Sequence, residues 1–162
     1  MNDKIRKLLV LSNLIVVLAF LGKEVWQKER IKEKGELFLF ALAPVDPRSL
    51  MQGDYMRLGY EITRTNFSQD LPNRGFLIFT PDSDGVARFV RFQKDSEPIS
   101  TNEKKIKFHR SQFAVSFGAE EYFFQEGTAD KFSEAKFGGL KVDSEGNGIL
   151  VGVYDKDRKE IR

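Results

Sequence analysis

The sequence predicts a mainly β protein, in which an N-terminal transmembrane helix precedes an antiparallel β-rich domain, a sandwich or partly open barrel, with one short helix. Three observations predict this fold class. One uncharged apolar run lies near the N-terminus. Short apolar or alternating segments, separated by turn sequences, follow it. All of the 15 Phe residues except Phe20 lie beyond the apolar run, and aromatic rings pack well on pleated surfaces.

The apolar run is Leu8–Gly22, LLVLSNLIVVLAFLG, whose polar side chains are Ser12 and Asn13. As a helix it spans roughly 22 Å, short of a hydrocarbon core of about 30 Å. Lys7 and Lys23 close the gap by snorkelling, and the helix continues to an interfacial Trp26. We therefore predict an uncleaved single-pass anchor that contacts the bilayer through Leu8–Gly22.

Two alternatives compete with the anchor. A cleaved signal peptide fits the basic start and the short apolar run, but Ala19-Phe20-Leu21 places Leu where a small residue is required. The small residues of Ala41-Leu42-Ala43 lie about 20 residues too far along the chain. A buried helix of a soluble protein is the third interpretation, and the run lacks the polar face that such a helix has.

Basic residues on either side of the span bear on its orientation. Three precede the run and five follow it, which by positive-inside counting favours a cytoplasmic domain. The short basic N-terminal tail is instead typical of a signal-anchor start. We predict that the tail is cytoplasmic and that the domain is extracytoplasmic.

The chain divides into four parts by composition. Residues 1–26 form the anchor and its tail, and residues 27–35 form a charged helical stem that Gly35 ends. Residues 36–155 form the β-rich domain. Residues 156–162 form a charged tail, which we expect to be mobile.

Charge and composition exclude several classes of function. Residues 23–162 contain 23 basic and 23 acidic side chains, so the domain has no electrostatic footprint for nucleic acid. The chain has no Cys, which excludes disulfides and thiolate catalysis. Its single His109 is interpreted as a strand surface residue, because a transition-metal site needs further ligands. We predict no metal site and no cofactor.

Apolar runs and two-residue alternation predict a domain of roughly eight short strands. The candidate segments are Leu37–Ala43, Tyr55–Ile62, Phe76–Thr80, Val86–Phe92, a pair around Ile106/Phe108 and Val115/Phe117, Tyr122–Gln125, Leu140–Val142 and Ile149–Tyr154. Two hairpin turns are predicted where Gly85 and Gly146 supply positive φ. A short helix is predicted over Thr128–Phe137, with Phe132 facing inward.

One motif is specific. Pro44–Ile62 reads PVDPRSLMQGDYMRLGYEI, and within it Gly53–Tyr60 resembles the signature of the GDYXXLXY family of bacterial membrane-anchored proteins at every fixed letter. The segments Asp46-Pro47-Arg48, Tyr122–Gly127 and Leu140–Asp143 also resemble the family pattern, so the resemblance covers about residues 36–155. It implies a membrane-anchored topology and a multi-pass membrane protein as partner. It implies no reaction.

The motif has a structural and a functional interpretation. Structurally, Gly53 and Asp54 form a tight turn, and Met56, Leu58, Tyr60 and Ile62 then share the inner face of a strand. Functionally, the same region forms a ligand-facing patch around Asp54, Arg57 and Tyr60. The candidate patch residues are Gly53, Asp54, Tyr55, Arg57, Leu58, Tyr60, Asp46, Arg48 and Glu126.

Three functions remain open at this stage. The first is a binding or accessory module that acts with another membrane protein. The second is an envelope hydrolase with a divergent carboxylate- or Ser-based site, which would place a carboxylate of perturbed pKa in a cleft beside Asp54 or Glu126. The third is a structural spacer. We favour the first, since the residues that resemble the family are mostly turn and core types.

Overall fold

The computed structural model describes residues 3–43, 55–64, 71–93, 97–111, 114–125 and 127–162. Its elements in chain order are α1 Asp3–Lys34, β1 Glu36–Ala41, β2 Tyr55–Arg57, β3 Arg74–Pro81, β4 Ala87–Gln93, β5 Lys104–Ser111, β6 Ala114–Ser116, β7 Glu121–Phe123, α2 Ala129–Phe132, β8 Phe137–Val142 and β9 Gly148–Tyr154.

The apolar run and the stem form the single helix α1, as predicted, and this helix is long and apolar enough to span a membrane. It ends at Lys34, and the Gly35 N–H donates to the Ile31 carbonyl at 2.7 Å. Ile31 is the one residue of the helix that is buried, at 5% exposure. The Lys141 ammonium donates to the Lys32 carbonyl at 2.6 Å. The last turns of α1 are therefore docked on β8 and β9 of the domain.

The strands form three antiparallel sheets, ordered β1-β8-β9, β4-β3-β5-β6 and β2-β7. The two larger sheets share one apolar core. Phe79 of β3 packs edge-on against Phe38 and Phe40 of β1, with ring centres 5.0 and 5.2 Å apart. The predicted β-rich class is confirmed, with a sandwich-like arrangement in which the sheets do not close into a barrel.

Both predicted hairpins are present, β3–β4 and β8–β9, and their turns contain Gly85 at φ +76° and Gly146 at φ +82°. In the first turn the Asp82 carboxylate accepts the N–H groups of Val86 and Asp84 at 2.9 and 3.0 Å. It also pairs with Arg88 at 2.8 Å. The hydrogen bond from Val86 is the largest of the effects that hold the Asp82 pKa below its usual range.

This turn predicts an acid dependence. A carboxylate whose pKa is lowered by folding contributes stability that is present above its unfolded pKa, near 3.9, and is lost as the pH falls through the folded pKa. We expect wild type to be more stable than Asp82→Asn at pH 7 and this difference to shrink steadily below about pH 4. Urea unfolding at a series of pH values measures it. A difference that stays constant down to pH 2 would contradict the role of the Asp82 charge.

Three predicted elements are corrected by the structure. The strand predicted over Tyr55–Ile62 ends at Arg57, and a 3-10 turn occupies Glu61–Thr63 because the Thr63 N–H and hydroxyl both bond the Tyr60 carbonyl. The helix predicted over Thr128–Phe137 is only α2, four residues long, because Lys136 and Phe137 are drawn into pairing with Tyr154.

The third correction concerns the predicted mobile tail, which folds back on β9. The Ile161 N–H donates to the Val153 carbonyl at 2.9 Å, and Glu160 forms an isolated antiparallel β-bridge with Tyr154. The Asp155 carboxylate accepts the N–H groups of Asp157 and Lys159 and so forms the reversal. The charged residues of the tail therefore form an ordered turn and a short segment that pairs with β9.

Candidate functional site

The second half of the sequence motif lies in the core. Tyr60 is 1% exposed, and its hydroxyl donates to the Ala119 carbonyl. Its ring centre lies 6.0 Å from that of Phe40 and 5.4 Å from that of Phe117. Burial, with a smaller effect from the Glu120 charge, raises the Tyr60 pKa well above its usual value. Tyr60 is therefore a neutral donor that packs in one aromatic cluster with Phe40 and Phe117.

The backbone of the motif connects distant parts of the chain. The Leu58 N–H donates to the Glu120 carbonyl at 2.6 Å, and the Gly59 carbonyl accepts the Ala43 N–H at 2.7 Å. Leu58 itself is 4% exposed. The segment that follows β2 thus joins the end of β1 to the β6–β7 connection, and this agrees with a structural role for Leu58 and Tyr60.

The motif residues Tyr55–Arg57 form a two-stranded ribbon with β7. Tyr55 pairs with Phe123, Met56 with Tyr122 and Arg57 with Glu121. Both segments are among those that resemble the family pattern, and the fold brings them together. Met56 is buried, while Arg57 and Glu121 are exposed and Phe123 is 70% exposed. We call Arg57, Glu121 and Phe123 the ribbon face.

The candidate patch residues are placed differently from one another. Gly53, Asp54, Asp46, Arg48 and Glu126 lie outside the described residues, and of Tyr55 only the backbone pairing is described. Arg57 is exposed and Tyr60 is buried, so these two side chains do not share a surface. A ligand-facing role for Asp54 and Arg57 stays a prediction.

Other groups with chemical potential are dispersed. His109 is exposed on β5, as predicted. Glu120 closes a turn, because its carboxylate accepts the Phe117 N–H at 2.6 Å. Within the part of the chain that the structure describes, no group of three or more His, Asp or Glu side chains could hold a metal ion.

A second candidate site is a cleft of about 650 Å³ between the stem and the domain, which we call the stem cleft. One wall is the face of α1 formed by Lys23, Trp26, Gln27, Arg30, Ile31 and Lys34. The opposite wall includes Phe38 of β1, Ile99, Lys104 and Lys105 of β5, and the β8–β9 turn. This site was not predicted, although the three- and four-residue spacing of the stem residues is a signal that the sequence contains.

The stem cleft and the motif lie at opposite ends of β1. Glu36 lines the cleft, whereas Ala43, just past the strand, bonds to Gly59 of the motif. Seven residues of extended chain separate them, a distance of about 20 Å. The domain therefore has one end at the last turns of α1 and the sequence motif at the other.

Comparison with known proteins supports the resemblance seen in the motif. The family model described as GDYXXLXY protein matches residues 17–153, from within α1 to β9. Comparisons with curated proteins and with solved structures give no significant match. The match extends over most of the chain and includes both strands of the ribbon, so the chain belongs to the GDYXXLXY family.

Proposed function

We propose that the chain is a membrane-anchored accessory module that binds another membrane protein close to the bilayer. The observation that supports this most is the continuity of α1, whose exposed apolar half leads without a break into a stem docked on the domain. Because Ile31 and the Lys141–Lys32 contact fix the stem, the domain is held at a set distance from the anchor. Such tethering raises the effective concentration of the domain toward a neighbouring membrane protein.

The ribbon face is the surface that we assign to this partner. It presents a large aromatic ring, Phe123, beside the Arg57 and Glu121 charges, and exposed aromatic and Arg side chains are typical of binding hot spots. Both segments that form it resemble the family pattern, whereas Leu58 and Tyr60 are occupied in the core. We infer that Leu58 and Tyr60 of the motif stabilise the domain, whereas its β2 residues position the binding surface.

The proposed location is the bacterial inner membrane, with the domain in the periplasm. We expect the mature protein to retain residues 8–26 and external protease to digest the domain in spheroplasts. N-terminal sequencing and immunoblotting measure the two outcomes. A mature N-terminus beyond Gly22 would contradict the anchor, and a domain that is protected in intact spheroplasts but digested after lysis would reverse the orientation.

The partner is tested by co-purification of the full-length chain from native membranes. Phe123→Ser should reduce recovery of the partner at least about tenfold, since a hot-spot aromatic contributes 2 kcal/mol or more. Val90→Ser, which changes a 40%-exposed residue of β4, is the matched control. Equal recovery with both variants would contradict the assignment of the ribbon face.

A further inference from the structure

We propose that the stem cleft binds the phosphate-containing headgroup of an anionic phospholipid. This inference rests on the membrane anchoring in the proposed function, but it does not depend on the protein partner or on the orientation of the domain. It assigns a ligand to a cleft that lies apart from the ribbon face.

The position of the cleft relative to the anchor is the first argument. Lys23, the first lining residue, directly follows the apolar run Leu8–Gly22. The span continues to the interfacial Trp26, and at 1.5 Å per residue Arg30 lies about 6 Å beyond Trp26. The headgroup layer of one leaflet is about 5–8 Å thick. The lower mouth of the cleft therefore opens at the level of the lipid headgroups.

The distribution of charge along the stem is the second argument. The face of α1 that lines the cleft carries the cations Lys23, Arg30 and Lys34 and no carboxylate. The acidic residues between Lys23 and Lys34 are Glu24, Glu29 and Glu33, and all three lie outside the lining. Lys28 and Lys32 also lie outside it, so the cleft face of the helix carries cations alone whereas its other faces carry both signs. Cations near the surface of an anionic membrane favour binding to it.

The domain wall adds the cation Lys105, and most of its acids are already paired or hydrogen-bonded. Lys104 and Lys105 line the cleft. Glu36 pairs with Lys104 at 2.6 Å, and Glu103 is neutralised by Arg91 from outside the lining. The Asp143 carboxylate is occupied by three hydrogen bonds within the β8–β9 turn. Glu145 contributes one further negative charge at this turn.

The chemistry of two side chains specifies the ligand. The Arg30 guanidinium lies over the Trp26 ring, with its central carbon 5.6 Å from the ring centre. This cation–π contact orients a group that bonds phosphate through two parallel N–H donors. Trp26 is 64% exposed, and Trp side chains are enriched where one end of the ring meets lipid and the other meets water. An anionic phosphodiester at the membrane surface matches both the paired donors of Arg30 and the interfacial preference of Trp26.

The test uses the full-length chain in phosphatidylcholine nanodiscs with an increasing fraction of phosphatidylglycerol. Trp26 is the only Trp in the chain, so in discs built with a Trp-free scaffold protein the emission reports on the cleft. We expect a saturable change for wild type, and a midpoint about fivefold higher for Arg30→Gln, the amount expected for one cation near an anionic surface. Native mass spectrometry of retained phosphatidylglycerol checks the result independently of the fluorophore.

Lys28→Gln is the matched control. It removes one charge from the same helix, closer to the bilayer than Arg30 but outside the cleft lining. An unchanged midpoint for Lys28→Gln supports the proposal. An equal shift in both variants would show general surface attraction and would overturn it.

Three further outcomes would also overturn the lipid assignment. One is an equal response to soluble glycerol phosphate in pure phosphatidylcholine discs, which would assign a free phosphate. Another is an Arg30-dependent response to polyglutamate, which would assign an acidic protein segment. The last is a chain that incorporates into discs but shows no dependence on phosphatidylglycerol. Failure to incorporate at all would instead contradict the anchor in the proposed function.

Discussion

Replacing Tyr60 with Ala is expected to lower the free energy of unfolding by about 3–5 kcal/mol, the range for removing a buried aromatic ring. The ring is 1% exposed and packs in one cluster with Phe40 and Phe117, so its removal leaves a cavity at the junction of β1 with the β6–β7 connection. The hydroxyl also satisfies the Ala119 carbonyl. Urea unfolding of the full-length chain in detergent micelles, followed by near-ultraviolet circular dichroism, measures the change.

Two variants separate the parts of this effect. Tyr60→Phe keeps the ring and loses the hydrogen bond, and we expect a cost of about 1–3 kcal/mol because the Ala119 carbonyl is left without its donor. Phe123→Ala removes an exposed ring from the neighbouring ribbon and should change stability by about 0.5 kcal/mol or less. If Tyr60→Ala were as stable as wild type, the structural interpretation of this motif residue would be wrong.

Replacing Gly138 with Ala is expected to cost about 1–3 kcal/mol through overpacking. A Cβ at this position would lie 2.9 Å from Cε1 of the Tyr60 ring and 3.4 Å from its hydroxyl oxygen. The ring cannot easily move aside, because its hydroxyl is bonded to Ala119 and it packs in one cluster with Phe40 and Phe117. Strand β8 therefore requires Gly138 opposite Phe40 of β1.

A double-mutant cycle tests this cause directly. In the Tyr60→Ala background the ring is absent, so Gly138→Ala should become nearly neutral, and the two changes should be non-additive by about 1 kcal/mol or more. Gly22→Ala, in the exposed helix with open space around the added Cβ, is the control and should be additive with Tyr60→Ala. Strict additivity for Gly138→Ala would show that its cost comes from backbone effects alone.

Local patterns in the sequence predicted the parts of the fold that depend on local interactions. The apolar run and the helix formers after it predicted α1 through the stem, and Gly35 predicted its end. The two glycines in the predicted hairpin turns have the positive φ that such turns require. Alternation from Met56 to Tyr60 correctly identified the inward side chains of the motif.

The predictions were wrong where hydrogen bonds to residues distant in sequence determine the backbone conformation. Alternation through Ile62 predicted a longer β2, but the carbonyl and N–H groups after Arg57 bond to Glu120 and Ala43 instead of to a partner strand. Helix propensity after Thr128 predicted a longer α2, but Lys136 bonds to Tyr154, 18 residues later in the numbering, and β8 begins there. Tertiary contacts of this kind override local propensity.

The two candidate surfaces also depend on tertiary structure. The pairing of β2 with β7 brings together segments about 65 residues apart, and no local pattern indicates that Arg57 lies opposite Glu121. The stem cleft exists because Ile31 docks α1 on the domain. The basic residues of the stem are visible in the sequence. The second wall of the cleft forms only in the tertiary structure, so the sequence did not predict a site there.

The most direct test of the central claim is site-specific photocrosslinking in living cells. A photoreactive phenylalanine analogue is introduced at Phe123 of the full-length chain or, as a control, at Val90, which is also exposed. The account predicts one discrete crosslink to a membrane protein from position 123 and none from position 90. Absence of a crosslink at position 123 in a chain that is folded, anchored and expressed at the wild-type level would contradict a binding role for the ribbon face.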